Sequence, residues 1–361
     1  MVTGVRLASV ASSVPAATLD SDELWDGYFA TWYGGDRRAR RIWQSAAVRT
    51  RHGVVDPRDE DVAAWSTADR MRRFGTEAAP LAKQAVTEAL GAAGVAAADV
   101  GLLAVASCTG YGTPGLDITV ARDLGMPVSV RRLAIGHMGC YAALPGLGAV
   151  ADYVRVSGKP GVLLCCELTS LHLQPPPQPR PDGRLDDTEL QQVVTHALFA
   201  DAAAAVVLVP GDDGLQVIDV QARTDPATSD HMLWDITDNG FRMGLSPRVP
   251  DVLARHVRPA ADELLADHGL AVADVAAWAV HPGGPRVLDV VEEHLGLAAH
   301  ALDASRQTLR DRGNCSSATV LMVLERILGN ARPEPGDPIV LLAFGPGLTL
   351  YSTLLRSGSR T

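Results

Sequence analysis

The chain carries a weak copy of itself. Residues 90–108 read LGAAGVAAADVGLLAVASC, and residues 264–282 read LLADHGLAVADVAAWAVHP. Each passes from a helix end through a Gly turn and an Asp-Val pair into an apolar strand that ends on polar, reactive residues. Apolar and acidic residues at helical spacing precede both Gly turns (Glu88 and Leu90; Glu263, Leu264 and Leu265). Met138-Gly139-Cys140 then opens a helical stretch to residue 154, and Arg312-Gly313-Asn314 opens another to residue 328. Strand-like runs follow at 161–166 and 338–344. Strands alternating with helices predict an α/β protein of two duplicated halves, with mainly parallel sheets and helices between and around them. Pro-Gly-Asp-Asp-Gly at 210–214 breaks the pattern, which sets the halves at 1–210 and 211–361. In such a pair equivalent loops face one another. Cys140 and Asn314 open equivalent helices, and Cys108 and His281 end equivalent strands.

Composition narrows the function classes. The chain has 361 residues, 47% hydrophobic and 20% charged, too apolar for a disordered chain and ordinary for a globular enzyme. No stretch approaches the ~18 consecutive apolar residues of a membrane span. The opening Met-Val-Thr-Gly-Val-Arg-Leu enters a strand alternation without a basic segment and apolar core, so no secretory signal is expected. With 32 Lys and Arg against 42 Asp and Glu, the net charge of −10 disfavours nucleic acid as a partner. One basic window stands out. Residues 35–52 hold Arg37, Arg38, Arg40, Arg41, Arg49 and Arg51 against Asp36 alone, as a solvated helix face or an anion grip. The five cysteines are odd in number and widely spaced, without a C-x-x-C pair, which argues against a disulfide framework or a zinc site. A reducing cytoplasm is the expected compartment. Cys165 and Cys166 lie in an apolar run and read as buried, inert thiols. The Pro-rich segment 174–184, QPPPQPRPDGR, reads as an extended surface loop or a lid.

Three residues could carry chemistry. A cysteine at a helix N-terminus feels the positive end of the macrodipole and unpaired N–H groups, which lower its pKa. Cys140 has that setting, although a packed core thiol fits the same pattern. His281 ends an apolar strand and precedes Pro282-Gly283-Gly284-Pro285, where the carboxyl end of a sheet meets its site. A hydrogen-bonded core histidine fits there too. Asn314 stands where a helix N-cap would. The duplication sets all three on converging loops, and Cys, His and Asn together can activate a nucleophile and stabilise an oxyanion.

Gly139-Cys140, WAVHPGGPRVLD (278–289), GNCSSATVL (313–321) and AFGPGLT (343–349) resemble the type III polyketide synthases, the chalcone synthase-like enzymes. SCTGYGTPGLD (107–117), HALFADAAAAV (196–206) and GFRMGLSPRVP (240–250) extend the resemblance over nearly the whole chain. It implies a thiolase-like fold, a homodimer, malonyl-CoA and an acyl-CoA starter as substrates, and no further cofactor. Cys140 would carry the acyl chain, and His281 would keep its thiolate ionised. His281 and Asn314 together would stabilise the enolate left by malonyl decarboxylation. Phe199 matches a gatekeeper between coenzyme A tunnel and cavity, with core packing beside Leu198 as its other reading. Met243 stands at a second gatekeeper position. The resemblance also assigns Cys108, Thr169, His172, Gly283, Gly284, Phe344, Gly345 and Pro346 to the substrate cavity. Arg38 and Arg41 match positions that grip coenzyme A phosphates. Ser45 replaces a third basic residue there, which implies either a weaker grip or one supplied by Arg49.

Some positions depart from the family pattern. Phe199-Ala200-Asp201-Ala202 stands for Phe-Gly-Asp-Gly, Ala343 begins the usual Gly-Phe-Gly-Pro-Gly, and Pro145 enters the helix after the nucleophile. Ser107-Cys108-Thr109-Gly110 resembles bacterial members that make tetrahydroxynaphthalene from malonyl units only, with an inert buried Cys108 as the alternative. Two other functions fit the residues: a ketoacyl-carrier-protein synthase III-like enzyme making one condensation, and a catalytically silent binder of acyl thioesters.

Overall fold

A computed structural model describes residues 4–174, 185–330 and 334–358. The expected segment 174–184 thus lies, beyond Gln174, outside the described residues. The strands of the first half are β1 (Val5–Ser13), β2 (Thr18–Asp20), β3 (Thr50–His52), β4 (Leu102–Ser107), β5 (Arg131–Gly136), β6 (Gly161–Leu168) and β7 (Asp201–Pro210). Those of the second are β8 (Leu215–Thr224), β9 (Met232–Thr237), β10 (Gly240–Leu245), β11 (Ala277–Val280), β12 (Pro338–Gly345) and β13 (Thr349–Ser357). Seven helices matter for the site: α1 (Arg37–Ser45), α2 (Thr67–Ala93), α3 (Ala143–Ser157), α4 (Asp187–Leu198), α5 (Val249–Ala266), α6 (Pro285–Leu295) and α7 (Thr319–Asn330).

Nine strands form one sheet in the order β11-β12-β13-β8-β1-β7-β6-β4-β5. Outward from the β1/β8 junction the two halves repeat. β1-β7-β6-β4 and β8-β13-β12-β11 each run antiparallel, antiparallel, then parallel. Equivalent helices fill equivalent connections: α2 and α5 before β4 and β11, α3 and α7 before β6 and β12. The junction itself is narrow, pairing only Arg6 with Gln216 and Leu7 with Leu215.

The expectation of mainly parallel sheets is corrected. Parallel pairing is confined to β4–β5, β4–β6 and β11–β12, and every other neighbour in the large sheet is antiparallel. The cause lies after β6 and β12, where each half returns with an antiparallel strand, β12 turning directly into β13 and β6 reaching β7 by way of α4.

Continuous apolar runs, rather than alternating ones, fit strands covered on both faces. Ala104, Leu163, Ala204 and Leu341 pack with α3 and α7 in one central cluster. Their neighbours Leu103, Leu164 and Ala205 pack on the opposite face with α2, while Val340 and Leu342 meet α5 and α6. Pro145 occupies the first turn of α3, where its missing N–H costs no helical hydrogen bond. The helix after Cys140 therefore forms undisturbed.

Candidate active site

Gly139 takes φ +73°, a left-handed conformation that opens a tight turn over Gly139–Tyr141 ahead of α3. That turn carries Cys140, which is buried. Burial pushes its thiol up to about 12, while the hydrogen-bonding Ser316 hydroxyl pulls the other way. The helix-end setting expected from the sequence is in place, with burial acting against it.

His281 follows β11, its backbone N–H donating to Leu342 O of the neighbouring β12 at 2.7 Å. The ring stands edge-on to Phe344, centroids 5.6 Å apart. A Cβ at Gly283 would meet that same phenyl ring at 2.9 Å, so glycine is what lets Phe344 lie close. The imidazole is fully buried, pushed down to about 3 by desolvation, and among the described residues neither ring nitrogen has a partner. Two orphaned polar atoms in a cavity wall are groups awaiting a ligand. Asn314 is buried as well, its Oδ1 accepting from the Ser316 N–H at 2.9 Å. That bond assigns the amide orientation and leaves the Nδ2 donor for the cavity. Asn314 thus holds the start of the turn Ser316–Ala318 through Oδ1, although the N-cap position itself falls to Cys315.

Cys140, Phe199, His281, Asn314, Gly283, Gly284 and Phe344 line a cavity of about 700 Å³, whose outer wall includes Ile42, Ser45, Arg248 and Arg286. Cys140 also borders a second cavity of about 340 Å³, lined by Cys108, His137, Trp234, Met243, Ser316 and Pro346 and open to solvent at Leu233 and Asp235. A narrow space of about 50 Å³ continues past Phe199 and Met243 to Thr169 and His172. Most of the sequence-derived site residues therefore converge. Gly345 does so by contact: a Cβ there would sit 3.3 Å from the Cys140 backbone nitrogen.

Two of them are held by the protein itself. Thr169 Oγ1 donates to Ala200 O at 2.9 Å. His172 Nε2–H donates to Thr109 O at 2.7 Å, and its Nδ1 accepts from the Phe241 N–H at 3.0 Å. This neutral tautomer leaves His172 no nitrogen for a substrate, and burial pushes it down to about 4.

The arginines divide. Arg38 is exposed and donates to Asp36 at 3.2 Å and Leu185 O at 2.9 Å; Arg41 and Arg49 are also exposed. The cavity wall comes from the next turn of α1, at Ile42 and Ser45, and from Arg248 and Arg286, which the sequence pattern did not single out. Glu167 was missed as well. This fully buried carboxylate accepts from the Cys108 N–H at 3.0 Å, Thr109 Oγ1 at 2.8 Å and Ser317 Oγ at 2.6 Å, with the Cys108 thiol at 3.5 Å. Burial raises its pKa, and above all raises that of Cys108.

Family models for the N-terminal and C-terminal domains of chalcone and stilbene synthases match residues 4–213 and 217–359. The chain belongs to the chalcone and stilbene synthases. It is thus a type III polyketide synthase, an acyltransferase that works by decarboxylating Claisen condensation on coenzyme A thioesters, which decides against the single-condensation alternative. A 1,3,6,8-tetrahydroxynaphthalene synthase of Streptomyces peucetius subsp. caesius is 39% identical over 333 residues, 90% of this chain and 85% of that protein. The alpha-pyrone synthesis polyketide synthase-like Pks18 of Mycobacterium tuberculosis (strain ATCC 25618 / H37Rv) is 30% identical over 371 residues, 96% of this chain and 90% of that one. The crystal structure of 1,3,6,8-tetrahydroxynaphthalene synthase from Streptomyces coelicolor A3(2) superposes with a TM-score of 0.89 at 27% identity, covering 99% of this chain and 100% of that one. The thiolase-like fold of two duplicated halves follows. No described helix is long and apolar enough to cross a membrane.

Proposed function

We propose that this type III polyketide synthase condenses malonyl units alone into a tetrahydroxynaphthalene-like aromatic product. The observation that carries this reading is that Cys140 borders two separate cavities. Substrate can reach it from one side, and a growing chain has room on the other. The name of the 39% identical relative supports the same product class.

The residues fall into roles. Cys140 Sγ attacks the thioester carbonyl while His281 accepts its proton, and that proton leaves with the coenzyme A thiol. A malonyl thioester then loses carbon dioxide, and the electron pair of the broken C–C bond becomes an enolate. Asn314 Nδ2 and the His281 ring donate to its oxygen, two preorganised donors where the charge develops. The enolate carbon attacks the acyl group on Cys140, expelling the thiolate and lengthening the chain by two carbons. The extended chain returns to Cys140 for the next round, and Phe199 and Met243 shape the passage between the cavities. The phosphates of coenzyme A meet Arg38, Arg41, Arg248 and Arg286 at the mouth.

Two other features complete the proposal. The chain acts as a cytoplasmic homodimer, for which the edge strand β5 and the exposed Tyr111 and Leu133 offer a surface. The halves divide at 210/211, between β7 and β8. Incubation with malonyl-CoA alone, followed by mass spectrometry, tests the function. Carbon dioxide release with an aromatic pentaketide is expected. A single-step ketoacyl product, or no carbon dioxide, sinks it.

A further inference from the structure

We propose that Arg51 is a positioning residue for decarboxylation, fastening the end of α4 so that Phe199 and Asn314 stay in register with the cavity. The sequence groups Arg51 with a surface patch, yet it is only 5% exposed. Its Nη1 donates to His196 O at 2.7 Å and Phe199 O at 3.1 Å. Its Nη2 donates to Ala197 O at 2.6 Å and Ser21 Oγ at 3.0 Å. The guanidinium also lies over the Trp43 ring, 5.2 Å from its centroid. Burial lowers its pKa to about 10, which still leaves it charged. Among the described residues no carboxylate pairs with it, so backbone dipoles at a helix C-terminus stabilise the charge.

The carbonyls at the end of α4 show what this does. A buried helix end needs partners for its last four C=O groups. Thr195 O accepts from the Phe199 N–H at 3.1 Å, and Leu198 O accepts from the Asn314 N–H at 2.8 Å. His196 O and Ala197 O, between them, are taken by Arg51. The Ala200 N–H then donates to Asn314 O at 3.0 Å. Asn314 is therefore bonded through its backbone to residues on both sides of Phe199, whose own carbonyl Arg51 holds. Gly313 leaves little slack, since a Cβ there would lie 2.9 Å from Ala200 Cβ. The planar fork meets three carbonyls and the Ser21 hydroxyl, four acceptors in a fixed geometry, whereas an ammonium has three donors on a compact charge.

This inference rests on Asn314 serving the enolate, and the experiment separates the two. Arg51→Lys keeps the charge and loses the fork. Its kcat for malonyl-CoA decarboxylation should fall about 10- to 100-fold, as expected when a reacting group shifts by about 1 Å. KM, and the rate at which iodoacetamide alkylates Cys140, should stay within about twofold. Unchanged decarboxylation, or decarboxylation and alkylation falling by the same factor, overturns the proposal. Asn314→Ala run alongside assigns the failure. If it loses decarboxylation while Arg51→Lys does not, only the Arg51 role is wrong; if it does not, the Asn314 reading falls and this inference with it. Should Arg51→Lys not fold, Ser21→Ala removes one partner of Nη2 and should lower kcat about 2- to 5-fold with alkylation unchanged. No change in kcat there also overturns the proposal.

Discussion

Gly345 stands directly against the Cys140 turn, where a Cβ would approach the Cys140 backbone nitrogen to 3.3 Å and Tyr141 Cδ1 to 2.9 Å. Across the same contact, a Cβ on Gly139 would strike Pro346 Cδ at 2.7 Å. The Gly-Pro-Gly motif is thus a surface against which the Cys140 turn is seated. Gly345→Ala should cost about 1–3 kcal/mol by overpacking. Thermal unfolding should register the loss, and carbon dioxide release should fall further than the folded fraction does.

Cys140→Ala should abolish product formation. In the unmodified enzyme, iodoacetamide should label Cys140 before Cys165 and Cys166, which sit inside β6 with no exposure. Peptide mapping of the alkylated protein reads the order directly.

Asn314→Ala should lose about 10²–10³-fold in malonyl decarboxylation, the usual cost of one oxyanion donor. Loading of an acyl group onto Cys140 should persist, because that step does not use the Asn314 amide. Intact-protein mass spectrometry detects the acyl adduct, and a carbon dioxide assay detects the lost step.

The phosphate grip should be shared. Arg41→Ala, Arg248→Ala and Arg286→Ala should each raise KM for malonyl-CoA in a salt-sensitive way. Arg38→Ala should do so less, because Asp36 and Leu185 O already hold that guanidinium. A truncated N-acetylcysteamine thioester has no phosphates, and on it all four variants should match the parent.

Buried histidines make the fold acid-sensitive. His172, His196 and His281 are held neutral by burial at about 4, 3 and 3. Their folded pKa values lie below the unfolded value of about 6.5, so the unfolded chain binds more protons as pH falls from there. Stability should fall through that window, by at most about 1.4 kcal/mol per pH unit for each histidine. Glu167 and Asp201, raised by burial, act in the opposite sense over the upper part of the acid range. His172→Gln isolates one term. Its denaturation midpoint should depend less steeply on pH between about 6.5 and 4.

The reactive residues were legible because chain punctuation marks them. Gly139 forces a turn before Cys140, His281 ends an apolar run, and Gly313 precedes Asn314. Arg51 was not legible: six arginines in one window look alike, and only tertiary packing separates the buried one from Arg41. Glu167 reads as the polar end of a strand, since the hydroxyls around it arrive from residues 109 and 317. The antiparallel returns were hidden for a related reason. The segment after Phe344 reads as a site motif, and it is also the turn joining β12 to β13, with Gly345 paired to Thr349. Pattern identifies a glycine's freedom and says little about how many tasks it performs.

The position of β1 bears on how the protein is made. β1, the earliest of the described strands, ends at the centre of the sheet, between β7 and β8, with Val5 opposite Pro210 and Arg6 opposite Gln216. Its pairing partners emerge about 200 residues later, roughly 10–40 s at ordinary rates of synthesis. Through that interval both its backbone edges wait unpaired, although α2, which bonds to Ser9 and Ser13, follows sooner. Contacts so distant in sequence slow folding and expose the nascent chain to aggregation. The strand that joins the two halves is therefore also the one whose protection the cell must supply longest.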